Sequence, residues 1–144
     1  MKNKDRELFY QVMCAMLPFG IKGQVEIEAS TGQYDIYSGA LEFTEVPVDV
    51  ELLGINTDSW DIEVYRLSDI DVDLSEYCYT LDDFVPYLRR IETMTKEEND
   101  KYRSIENKGP QDFLNYAKKK LDYLYSIGVD AHGLIDKGYA NEKK

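Results

Sequence analysis

The stretch Val48-Asp-Val-Glu-Leu52 alternates apolar and acidic residues without a break. Three other stretches keep the same period of two. Val25 and Ile27 sit between Gln24, Glu26 and Glu28, Ile62 and Val64 follow Asp61 and Glu63, and Ile70, Val72 and Leu74 interleave with Asp69, Asp71 and Asp73. Successive side chains of a strand point to opposite faces, so this alternation predicts an antiparallel sheet with its apolar set inward and its carboxylates on one solvated face. Between Tyr34 and Phe43 the pattern is less regular and predicts a strand pair or one bulged strand, broken at Ser38 and Gly39. Turn residues at 30–32, 46–47, 56–59 and 68–69 separate the runs, giving four to six short strands over residues 23–75.

On either side of the sheet the period changes to that of a helix. Leu8, Phe9, Val12, Met13, Met16 and Leu17 recur at spacings of three and four and predict an amphipathic helix over 5–17, stopped by Pro18 and Gly20. Beyond residue 75, Thr80 with Asp83 predicts a short helical turn over 81–85 that Pro86 interrupts. Thr95 with Glu98 fits a capping box and starts a helix running from Lys96 to about Ile105. Pro110 at a first helical position, Gly128 at a C-cap position and the stripe Phe113, Ala117, Leu121, Leu124 predict a helix over 110–127. A tail follows from 129 to 144. The fold class is therefore α+β: an N-terminal helix, a small bent antiparallel sheet for which an SH3-like open barrel is one form, and two or three C-terminal helices. At 144 residues one domain is expected, with residues 81–127 as its helical part.

Charge is distributed unevenly. Residues 23–85 hold sixteen Asp and Glu against Arg66 alone, a formal charge of −15, while residues 1–22 and 86–144 are each +2, within a net charge of −11. Such a field repels phosphate backbones and anionic lipid and attracts basic surfaces, so direct nucleic-acid and membrane-surface binding are disfavoured. Its carriers, and the candidate binding residues, are Glu26, Glu28, Asp49, Glu51, Asp61, Glu63, Asp69, Asp71 and Asp73. Tyr34, Tyr37, Tyr65, Tyr77, Tyr79 and Tyr87 lack the positive groove that base stacking needs, and suit a core plus part of a protein interface. An apolar fraction of 43% accompanies the charge, so the chain should fold. Cys14 and Cys78 read as reduced thiols in a cytoplasmic setting, and no run of 18 apolar residues suggests a membrane span.

Motifs for chemistry are sparse. The sequence holds no phosphate loop, dinucleotide fingerprint, C-x-x-C or nucleophile elbow. His132, the one histidine, lies in a loop and reads as a surface or helix-terminus residue, not as a catalytic base. The carboxylates from Asp69 to Glu76 have the spacing of half a calcium loop, but Leu74 stands where the glycine should be and a strand edge explains the same pattern. No catalytic residue, metal site or cofactor is expected.

Three segments resemble a family of small uncharacterised proteins carried by bacteriophages and integrated mobile elements of gut anaerobes. LPFGIK, ending at Lys22, is similar to the close of its N-terminal helix. FVPYLRRIETMTKEE, ending at Glu98, is similar to its central stretch. LDYLY, ending at Tyr125, with HGLIDKGYA, ending at Ala140, is similar to its closing segment. Arg90 stands where that pattern has a second proline, and Ala131 with His132 where it has Tyr-Arg. The resemblance implies the same order of helix, sheet and helices and carries over no activity. Two functions are expected from different classes: a non-enzymatic accessory protein whose acidic sheet face docks a basic protein surface, with a DNA-mimic inhibitor of a host protein as its narrower form, or a small enzyme or ligand-binding domain with a carboxylate and tyrosine cleft.

Overall fold

The computed structural model describes residues 2–67, 78–106 and 109–143, without the side chains of 29–31. Its class is α+β, and the chain divides into two compact units. Lys22–Val85 forms a sheet unit. Met1–Ile21 together with Pro86–Lys144 forms a second unit, built from both ends of the chain.

Among the described residues the sheet unit has four strands: β1 (Ile21–Tyr34), β2 (Leu41–Ile55), β3 (Asp61–Arg66) and β4 (Tyr79–Thr80), in the order β4-β3-β2-β1. The order is linear, so the sheet does not close into a barrel. Val25, Ile27, Val48, Val50 and Leu52 are buried together with Tyr79, Leu81 and Phe84, as the two-residue period requires. Burying each aliphatic side chain contributes roughly 1.5–3 kcal/mol. Antiparallel pairing of β2 with β3 sets Glu51 against Tyr65 and Leu52 against Val64, and a bulge between Leu52 and Gly54 turns Leu53 outward. β1 and β2 have 14 and 15 residues, longer than the short strands the sequence suggests. Alternation writes no burial from 32 to 45, where every residue but Asp35 is exposed. The strand expected at Ile70 to Leu74 lies outside the described residues.

At the turn between β2 and β3, Asn56 holds the chain with its side-chain oxygen, which accepts the amides of Asp58 (2.9 Å) and Ser59 (3.4 Å). Trp60 then takes a left-handed φ of 61°, a costly conformation for a bulky residue. Its carbonyl accepts the Leu81 amide at 2.8 Å, which anchors the strained position. After β4, the turn expected over 81–85 is a 3₁₀ turn at Leu81–Asp83, closed by a capping box in which the Asp83 carboxylate accepts the Thr80 amide at 2.8 Å.

The terminal unit contains α1 (Asn3–Met16), which buries Phe9, Val12, Met13 and Met16, and which packs on α3 (Phe113–Ser126). Between them in sequence come β5 (Val85–Leu88) and α2 (Lys96–Ser104), whose capping box places the Thr95 amide 2.9 Å from Glu98 Oε1 and the Glu98 amide 3.1 Å from Thr95 Oγ1. Met94, Leu124 and Val129 form the core beside α3, with Tyr102, Tyr123 and Ile127 packed against it. Gly128, at a φ of 72°, ends the helix in the left-handed region that only glycine enters freely. The apolar stripe of α3 differs from the expected one. Phe113 and Ala117 are exposed, and burial begins at Leu124 and Tyr125. One turn before Leu124, Lys120 places its ammonium 4.6 Å and 4.7 Å from the ring centres of Tyr102 and Tyr116.

The tail is tied down at several points. β6 (Asn141–Glu142) adds in parallel to β5, pairing Tyr87 with Asn141. Arg90 reaches Asp136 at 2.8 Å and Glu142 at 3.0 Å, and the Tyr139 hydroxyl donates to Asp5 at 3.0 Å. His132 is more organised than its loop position suggests. The Asp130 carboxylate accepts the amides of His132 (3.3 Å), Leu134 (2.9 Å) and Ile135 (2.9 Å), and the imidazole Nε2 lies 2.8 Å from the Tyr125 hydroxyl. Burial pushes the His132 pKa below its ordinary value of 6.5. The unfolded chain therefore takes up this proton at a higher pH than the folded one, and stability that is complete above about pH 6.5 declines as the pH falls below it. Denaturant titrations at about pH 7 and about pH 5 should show that loss, and His132→Gln should flatten it.

Candidate functional site

The candidate carboxylates sort by strand. Glu26 and Glu28 are exposed on β1, Asp49 is exposed and Glu51 half-buried on β2, and Asp61 and Glu63 are exposed on β3. Each alternates with a buried or half-buried apolar neighbour, so these six share the outer face of the sheet. Asp69, Asp71 and Asp73 lie outside the described residues. Gln24 donates to Asp49 Oδ1 across β1 and β2 at 3.4 Å, which places both on that face. Arg66 is positioned differently. Its partner in the β2–β3 register is the buried Val50, and residues directly opposite in an antiparallel pair share a face, so Arg66 is on the side away from Glu51 and Tyr65, whereas Lys22, exposed at the start of β1, alternates in step with Gln24 and Glu26.

Glu45 on β2, which the sequence pattern did not single out, joins Glu26, Asp82 and Asp83 around a cleft of about 520 Å³. Cys78 and Tyr79 complete one wall. A hydrogen bond to Glu26 and the charge of that neighbour raise the Glu45 carboxyl above its ordinary 4.5. Two carboxyl groups this close hold a proton between them more readily than either alone. Both side chains are exposed to water, which screens the pair. A cross-strand approach between residues nineteen apart leaves no mark in a local pattern, so this pair could not be found from sequence.

The tyrosines divide. Tyr34, Tyr37 and Tyr65 are exposed, Tyr79 is buried and Tyr87 half-buried, while Tyr77 lies outside the described residues. Cys14, half-buried, and Cys78, exposed, are free thiols, and burial raises the Cys14 pKa. Among the described residues no group of three or more His, Cys, Asp or Glu could hold a metal ion, and no helix is long and apolar enough to cross a membrane. Three basic side chains of the terminal unit are engaged within it: Arg89 with Glu98, Arg90 with Asp136 and Glu142, Lys137 with Asp5. Comparison with protein-family models, curated proteins and solved structures finds no match.

Proposed function

We propose that the chain is a non-enzymatic accessory protein, of phage or mobile-element origin, that docks a basic protein surface through the outer face of its sheet. The observation that carries this reading is the sorting of charge: exposed carboxylates from three adjacent strands lie on one face, and Arg66 faces the other way. A predominantly acidic face, with Lys22 at the start of β1 as a cation among its carboxylates, attracts a complementary surface over about a Debye length and orients it before contact. Mimicry of a nucleic-acid backbone, presented to a host protein that binds one, is the narrower form. The cleft between Glu26 and Glu45 would suit a small cationic ligand or a proton-transfer step, but general acid–base chemistry gains from removing water, and these carboxyls are open to it.

Immobilised full-length protein is expected to retain basic proteins from a host lysate and to release them between about 0.1 and 0.5 M salt. Asp49→Asn/Asp61→Asn/Glu63→Gln should weaken that retention about tenfold, on the order of 0.5 kcal/mol per charge. Retention that is indifferent to salt, or no more selective for basic proteins than an unrelated protein of equal charge, would overturn the reading.

A further inference from the structure

The far end of the β1–β2 hairpin is built for contact with something outside its own core. β3 pairs with β2 only between Val50 and Ile55, yet β2 extends back to Leu41 and β1 forward to Tyr34. Every residue from 32 to 45 is exposed apart from Asp35, which is half-buried. Within this end stand Tyr34, Ile36, Tyr37, Leu41 and Phe43, all exposed, with Ile36 and Tyr37 at 88% and 94%. Five large apolar side chains in ten residues are far more than scattered surface hydrophobics explain.

The turn that carries them is fixed locally. Asp35 Oδ1 accepts the amides of Tyr37 (2.7 Å) and Ser38 (3.0 Å), the Asp35 amide donates to the Ala40 carbonyl at 2.7 Å, and Gly39 supplies a φ of 70°. Ile36 and Tyr37 are therefore displayed by a preorganised loop, which lowers the entropy lost on binding. Charge then selects the occupant. Residues 24–49 hold six carboxylates and no basic residue, so a second copy of the hairpin, a nucleic acid or an anionic bilayer is repelled, and an apolar pocket rimmed by Lys and Arg is attracted.

We infer that this hairpin end is an anchor, inserting Ile36 and Tyr37 into a basic-rimmed apolar pocket on a protein partner. The inference rests on the docking reading above and adds the part of the surface that fixes affinity, since aromatic and aliphatic anchors carry most of the energy of an interface whose charges steer approach.

The probe is a random peptide display library selected on the full-length chain. Enriched peptides are expected to place Lys or Arg around an aromatic or aliphatic residue, to weaken with salt, and to lose about tenfold or more in affinity for Ile36→Ser/Tyr37→Ser. That variant should keep the wild-type thermal midpoint, and Phe43→Ser serves as a second test if it does not. Basic peptides that ignore the hairpin substitutions but respond to Asp49→Asn/Asp61→Asn/Glu63→Gln would overturn the anchor while the docking face stands. Peptides without basic enrichment, or no enrichment at all, would remove both. A concentration-dependent dimer in sedimentation equilibrium that the hairpin variant dissolves would make a second copy the occupant, and would overturn the anchor as well.

Discussion

Arg89→Ala should lower the free energy of unfolding by about 3 kcal/mol, because one guanidinium holds four acceptors in the terminal unit. Its two terminal nitrogens bond Glu98 at 2.8 Å and 2.7 Å, and they also reach the carbonyls of Thr93 (3.1 Å) and Ile127 (3.4 Å). Side-chain exposures of 23% and 19% keep the Arg89–Glu98 pair largely out of water. Glu98 also caps α2, so the guanidinium joins the start of one helix to the end of another. Arg89→Lys should recover only part of the loss, since an ammonium cannot match the two-pronged geometry. The Arg89 guanidinium, with help from the Thr95 amide, holds the Glu98 carboxyl down to about 2 against an ordinary 4.5. A depressed carboxyl contributes stability that is complete above its ordinary pKa and is lost as pH falls through the folded value. Acid titration by circular dichroism should therefore show wild type losing stability below about pH 4.5, with Arg89→Ala starting lower and falling less steeply. Equal stability of the two proteins at neutral pH would show the pair to be dispensable.

Gly23→Ala should be of similar severity in the sheet unit, about 2–4 kcal/mol. A methyl at this position would meet the Val85 carbonyl oxygen and two Phe84 ring carbons at 2.6 and 2.7 Å, closer than real contacts allow. Phe84 is 1% exposed, so its ring cannot swing aside into open solvent. The cause is space, not backbone freedom, so Gly23→Val should be worse than Gly23→Ala. Phe84→Leu on the Gly23→Ala background should not restore wild-type stability, because the backbone oxygen of Val85 remains in the way. Urea titrations of the three variants check the order.

Local signals were the legible ones. Thr95 with Glu98 and Thr80 with Asp83 announce their capping boxes within four residues, and Gly128 marks the end of α3 where its positive φ is needed. The period of two places Glu26, Asp49 and Glu63 on the solvated side of their strands, because burial on one face is what writes that period into a sequence. Where burial is missing, the writing stops: residues 32–45 form a hairpin end that is exposed but for Asp35, so neither the length of the strands nor the role of Tyr37 could be read. Partners far apart along the chain were equally silent. Glu45 meets Glu26, and Lys120 lies over the ring of Tyr102, eighteen residues earlier, through tertiary packing alone. Asp130 does leave a local trace: a short carboxylate just before a loop often gathers the amides that follow it.

The division of the chain sets an order of events during synthesis. Lys22–Val85 is contiguous in sequence, whereas α1 precedes it and packs on α3, about a hundred residues later. Throughout that interval Phe9, Val12, Met13 and Met16 are without their final neighbours. Truncation before α3 should accordingly strand the first helix while sparing the sheet, and a nascent chain of that length would be the species most in need of a chaperone.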